Sequence, residues 1–249
     1  MRIKTLAILL VLWAANLWAD DTSDSPGKNP SIRVAAISFI PQKFDIQGNA
    51  KRLESLFCQA KRGGALLAVA PEGALDGYVV NEIIAGEFPS ERMHEVAVAM
   101  DATIVGGFRD LARQLDMCLV FGLAEQIGED VFNCAVFIDR DGELRGKYHK
   151  MQLAEGYHPS WWYNRLGQTS RAFDTSLGRC GILICNDRWN PQLARIPALD
   201  GAQFLVIPAY GSRSESQDTA GLSPLHVLFS DRSLGNHMPI QRTSSTAVR

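Results

Sequence analysis

Residues 65–70 read Ala-Leu-Leu-Ala-Val-Ala, an unbroken apolar run set between Gly63-Gly64 and Pro71. So short a run without alternation predicts a strand buried on both faces, which requires layers of structure on either side of its sheet. Phe204 to Ile207 repeats the pattern, as does the apolar stretch from Gly181 toward Cys185. Between such runs lie segments of helical periodicity. Leu53, Leu56 and Phe57 share one face of a helix expected to be capped by Asn49 and ended by Gly63-Gly64. Arg92 to Leu115 is expected to be mainly helical with a break near Gly106-Gly107. Ile32 to Ile40, Met117 to Ala124, Val131 to Ile138 and Ala172-Phe173 complete the expected strands, and Asp141-Gly142 predicts a tight hairpin into Glu143 to Tyr148. Strands alternating with helices, plus adjacent hairpins, predict an α/β layered sandwich.

The ends read differently. Arg2 and Lys4, then an uninterrupted apolar stretch from Leu6 to Ala15 and a small residue at Ala19, have the form of a secretory signal peptide over residues 1–19, too short to span a bilayer. An uncleaved anchor is the other reading. Cleavage predicts an exported protein, periplasmic or secreted, with no membrane span left. Residues 20–30 are polar and rich in helix and strand breakers, as a flexible leader is. The folded domain is expected over residues 31–211. Residues 212–249 form an atypical tail of weak periodicity, with too few regularly spaced apolar residues to complete a second sheet. Uncovered sheet surface of that kind predicts a homodimer or higher oligomer.

A formal net charge of −2 gives no basis for binding nucleic acid. Five cysteines, an odd number, leave at least one thiol unpaired, and neither their spacing nor that of the histidines is that of a zinc site.

Three chemically capable residues follow expected strands directly: Glu72, Lys150 and Cys185. In open α/β sheets the carboxyl ends of strands are where ligands bind. Cys185 stands between an apolar strand and Pro191, which favours the first turn of a helix, so it would sit at a sharp turn with the N–H of Asn186 available to an oxyanion. Taken singly each has an ordinary reading: a buried strand cysteine, a helix-capping glutamate, a solvated lysine. His149, next to Lys150 on an extended segment, points to the opposite face, and His226 and His237 lie in the poorly patterned tail, so a Cys–His dyad has no good partner.

Together the three resemble a family pattern. Pro71-Glu72 with Gly77-Tyr78, Gly146-Lys147-Tyr148-His149-Lys150, and the stretch GILICNDRWNP with Cys185, Asp187 and Pro191 resemble, in order, the Glu, Lys and Cys motifs of the nitrilase superfamily of carbon–nitrogen hydrolases. The resemblance runs from about Ile32 to Gly211. It implies an α-β-β-α sandwich and a hydrolase that cleaves a non-peptide C–N bond of an amide or carbamoyl compound, or a nitrile, through a thioester on Cys185. Glu72 would transfer protons, Lys150 would stabilise the oxyanion, and no cofactor or metal is needed. It also implies a small-molecule partner and a subunit of the same chain. Many relatives carry a second glutamate after the lysine; Glu155 is the candidate here, with a positioning role and a solvated loop carboxylate both open. Trp162, within the aromatic cluster 161–163, lines the substrate pocket or packs a contact. The stretch beyond Cys185 is short for the family and Gly235 replaces a glutamate expected there, so a degenerate or truncated member acting as a binding protein is the alternative.

Overall fold

The computed structural model describes residues 32–153, 165–210, 226–229 and 246–248. The expected signal peptide and leader, and the candidates Glu155 and Trp162, lie outside the described residues. Two sheets form the middle of the molecule, and the four-layer reading holds.

Sheet one has the order β10-β1-β2-β3-β4-β5, where β1 is Val34–Ile37, β2 Leu67–Val69, β3 Cys118–Ile127, β4 Asp130–Ile138, β5 Leu144–His149 and β10 Thr246–Val248. The first four pair in parallel, and β3-β4-β5 is an antiparallel meander turned by Gly128 and by Asp141-Gly142, with Gly128 and Gly142 at positive φ. Sheet two is β6-β7-β8-β9, with β6 at Phe173–Thr175, β7 at Gly178–Ile182, β8 at Phe204–Ile207 and β9 at His226–Phe229.

Strand alternation assigns the layers. From β3, Leu119, Phe121 and Leu123 face outward, where Leu53 and Phe57 of α1 (Ile46–Arg62) and Phe108 and Leu111 of α3 (Thr103–Leu115) cover them; the short α2 (Val80–Ile84) comes between the two in the chain. Cys118 and Val120 face inward and meet Cys180, Ile182, Phe204 and Val206 of the second sheet. Leu67, Ala68 and Val69 are wholly buried, as the apolar run at 65–70 requires.

Three expectations need correction. Asp45, not Asn49, caps α1, its carboxylate accepting from the Gly48 N–H at 2.9 Å. Asn49 lies a turn later and ties the chain before α1 to the loop after β2, bonding Gln42 at 2.7 and 2.8 Å and the Leu75 carbonyl at 3.1 Å. Next, α3 runs unbroken through Gly106-Gly107, where the missing side chains leave open space, while the break falls earlier, between a 3-10 helix at Ser90–Glu95 and Thr103. There Val98 bridges to Glu125 and the chain follows the edge of β3 instead of coiling. Beyond Gly211, where periodicity predicted no strand, β9 and β10 add an edge strand to each sheet. Strands of three or four residues are too short to show a period, and pairing with β8 and β1 forms them. Part of the edge coverage expected from a partner copy therefore comes from the chain itself. All five cysteines are free thiols, in agreement with the unpaired thiol that an odd number requires.

Candidate active site

Glu72 is delivered by the turn after β2. That turn crosses β3 at Gly122, where a Cβ would stand 2.5 Å from the Gly73 nitrogen and 2.6 Å from the Glu72 Cα. A glycine inside a strand signals close backbone approach, and here it allows the loop to dock through Gly122 N–H to Pro71 O at 3.0 Å and Leu75 N–H to Gly122 O at 3.2 Å. The Glu72 side chain is wholly sealed from solvent. Its Oε1 accepts from Lys150 Nζ at 2.7 Å and from Asn133 Nδ2 at 2.7 Å, and its Oε2 accepts from the Tyr210 N–H at 3.1 Å. Three donors from three different elements hold this carboxylate.

Lys150 follows β5, its backbone pinned to Asn133 O at 2.9 Å and Gly167 N–H at 2.9 Å. Burial, the largest influence, pulls its pKa down, but the Glu72 charge and hydrogen bond, with Cys185 and Asp187 behind them, hold it above the ordinary lysine value. The ammonium is therefore a fixed positive charge in a dry site. His149 does face the other way, stacked on Phe132 at 4.3 Å.

Cys185 opens a 3-10 helix, Cys185–Trp189, with two residues between it and the end of β7. Its φ is +46°, a left-handed conformation strained for a residue with a side chain and the mark of a sharp strand-to-helix turn. The turn is held by Cys185 N–H to Pro208 O at 2.9 Å, and Pro191 then starts α4 (Pro191–Leu199), capped by Asn190. Burial first, then the Glu72 carboxylate, pushes the thiol up to about 11 against the pull of Lys150. The resting sulfur is thus protonated at neutral pH, and attack needs a base. Asn186 holds the loop after Lys150 through Nδ2 to Leu153 O at 3.0 Å, and its N–H lies in the first helical turn, where backbone donors lack acceptors within the helix.

Asp187 joins the pieces. It is fully buried, and its two oxygens accept from Tyr148 OH at 3.0 Å, Ile184 N–H at 3.0 Å, Gln152 N–H at 2.7 Å and Met151 N–H at 3.2 Å. One carboxylate therefore ties the Cys185 turn to the strand that presents Lys150. Burial raises its pKa despite these donors.

Glu72, Lys150 and Cys185 are brought to one place, from two sheets. Asn133 and Tyr210 were missed. Asn133 had a signal, an amide in the middle of an apolar strand, which burial obliges to find a partner. Tyr210 had none: it acts through its backbone N–H, with its carbonyl 3.9 Å from Cys185 Sγ and its ring stacked on Tyr78 at 4.3 Å. Two surface pockets around Arg145, lined by residues that include Asp139, Ser176, Lys147 and Arg171, have none of Glu72, Lys150 and Cys185 in their lining.

Residues 33–248 match the carbon-nitrogen hydrolase family. Among curated proteins the chain is 26% identical over 224 residues to a citrullinase of Francisella tularensis, covering 88% of this chain and 75% of that protein. It is 29% identical to an N-carbamoylputrescine amidase of Solanum tuberosum, covering 77% of this chain and 62% of the relative. With a nitrilase of Pyrococcus abyssi it shares 30% identity, over 72% of this chain and 64% of the relative. Of solved structures, a double mutant of the amidase from Nesterenkonia sp. AN1 in complex with acrylamide superposes with a TM-score of 0.60 at 23% identity, covering 76% of this chain and 69% of that one.

Proposed function

Since the chain belongs to the carbon–nitrogen hydrolase family, we propose that it hydrolyses a small amide or carbamoyl compound through a thioester on Cys185. One observation carries this reading. Glu72, wholly buried, is bonded to Lys150 at 2.7 Å and to the Tyr210 N–H at 3.1 Å, and its charge acts on the Cys185 thiol, so base, cation and nucleophile form one electrostatic unit.

The chemistry follows from that unit. Glu72 takes the thiol proton as Cys185 Sγ attacks the carbonyl carbon, and the oxygen becomes an oxyanion. Lys150 and the Asn186 N–H stabilise it, a contribution of about 3–4 kcal/mol for a well-placed donor. Collapse breaks the C–N bond, and Glu72 passes its proton to the departing amine, or to ammonia where the substrate is a primary amide. Glu72 then takes a proton from water, whose hydroxide adds to the thioester carbon. Release of the acid returns the proton to Cys185. No step requires a metal or an organic cofactor. The intact constellation favours catalysis over a degenerate member that only binds.

Amides and carbamoyl compounds are favoured over nitriles because three of the relatives and structures above carry amidase or citrullinase activity in their names. The test is to trap the acyl-enzyme from a panel of such substrates and map it by mass spectrometry. Cys185→Ala is expected to lower kcat at least about 10,000-fold with the unfolding midpoint unchanged. An adduct on Cys58, with Cys185→Ala still turning over, overturns the proposal.

A further inference from the structure

The face of sheet one that points away from the reacting groups carries a second cluster, which the hydrolysis above does not use. In the register of the meander, Cys134 stands directly opposite His149 on one side and Leu123 on the other, and Glu125 lies two residues beyond Leu123. All therefore project to the same face. The Glu125 carboxylate, the Cys134 sulfur and the His149 ring nitrogen lie within 4.8 Å of one another. We propose that Glu125, Cys134 and His149 form a site for one divalent transition-metal ion of the zinc type.

The donor set favours that class of ion. One thiolate, one imidazole and one carboxylate are the ligands of borderline ions in four-coordinate sites, whereas magnesium and calcium take oxygen alone. The ligands are also oriented before an ion arrives. Lys147 Nζ bonds Glu125 Oε1 at 2.6 Å, which leaves Oε2 free to face His149 Nε2, 2.5 Å away. Phe132 stacks on the His149 ring at 4.3 Å and fixes the direction of its nitrogens. Such supports around the ligands are what metal sites depend on.

An ion at about 2.0–2.3 Å from each ligand would need the close oxygen–nitrogen pair to open by less than about 1 Å, within reach of side-chain rotation. Lys147 need not leave, since it occupies the other oxygen. His149 keeps 19% of its side chain exposed, so the ion enters and a water completes the coordination from that side. Binding exchanges the Cys134 thiol proton for the metal, and that proton goes to solvent. The bound ion would clamp β3, β4 and β5 at the end of β5 that leads into Lys150.

Cobalt(II) chloride titrated into the full chain carrying Cys185→Ser tests this, because a thiolate–cobalt bond gives a charge-transfer band in the near ultraviolet. Saturation at one equivalent with that band and a raised unfolding midpoint is expected. Cys134→Ser should abolish the band. His149→Ala, which removes one of the three ligands, should weaken binding about 100-fold or more. Glu72→Gln, on the opposite face, should leave binding unchanged. Failure to saturate, a band that persists in Cys134→Ser, or equal affinity in His149→Ala overturns the site.

Discussion

Two lysine–glutamate pairs, one within β5 and one at the residue directly after it, stand three residues apart and face opposite ways. Lys150 meets Glu72 at 2.7 Å on the side of the second sheet, with side chains 1% and 0% exposed. Lys147 meets Glu125 at 2.6 Å on the other side, with 34% and 3% exposed. The bond lengths are nearly equal, so the difference between the pairs is water. On the outer face Lys147 keeps part of its hydration, and Glu125 is shared with His149, which together hold its pKa below the ordinary value although burial alone would raise it. On the inner face neither charge is solvated: each depends on the other, and Glu72 also on Asn133 and the Tyr210 N–H. A charge that water cannot screen is useful to a developing oxyanion, and for the same reason its loss is severe.

The comparison breaks most readily at Lys150. Replacing it by alanine leaves Glu72 buried without its cation, so stability should fall by about 3–5 kcal/mol in urea unfolding. In steady-state kinetics kcat and kcat/KM should fall together, by about 100- to 1,000-fold, since the lost interaction belongs to the transition state. A variant with near-normal kcat would return Lys150 to a structural role.

Asp76 sharpens the comparison, being a buried carboxyl beside Glu72 that has no lysine. Its Oδ1 accepts from the Tyr78 N–H at 2.7 Å, while its Oδ2 has no hydrogen-bond partner among the described residues. Burial first, with repulsion from Glu72 as a lesser cause, raises its pKa to about 6. Between the unfolded carboxyl value, about 4, and that value the folded state binds the extra proton, so this group lowers stability as pH rises through the window. Asp76→Asn should remove the slope. The stability difference between variant and parent should shift in favour of the variant by about 2 kcal/mol from pH 4 to pH 7. A difference independent of pH would show that Asp76 is not titrating there.

The smallest effect is expected at Lys147. Lys147→Ala should change stability by about 1 kcal/mol or less and leave kcat within about twofold, because a part-exposed pair is screened and does not touch the reacting groups. A loss comparable to that of Lys150→Ala would mean that the outer pair also sets the position of β5.

Much of this was legible from local pattern. The apolar runs at 65–70 and 204–207 and the Asp141-Gly142 turn place β2, β8 and the β4–β5 hairpin, because burial on both faces and a positive φ each demand particular residue types. Glu72, Lys150 and Cys185 stood out as polar groups at the ends of such runs, and extended geometry alone sent His149 to the other side from Lys150. Pro191 as helix opener does not depend on distant parts of the chain either. The cap of α1 was misread because Asp45 and Asn49 both have cap chemistry, and only the contact of Asn49 with Leu75 chooses between them.

What tertiary structure decided is the meeting of groups far apart in the chain. Glu72 and Lys150 are 78 residues apart, and the Tyr210 N–H reaches Glu72 across 138. A backbone donor has no side-chain identity to read, so Tyr210 could be found only in the fold. The tail strands β9 and β10 are similar, since their pairing comes from the exposed edges of β8 and β1 and not from their own three or four residues. Sequence determines locally which residues are able to act, through periodicity, caps and turns; whether a buried charge finds its partner is settled by packing between sheets, which has no period in the chain.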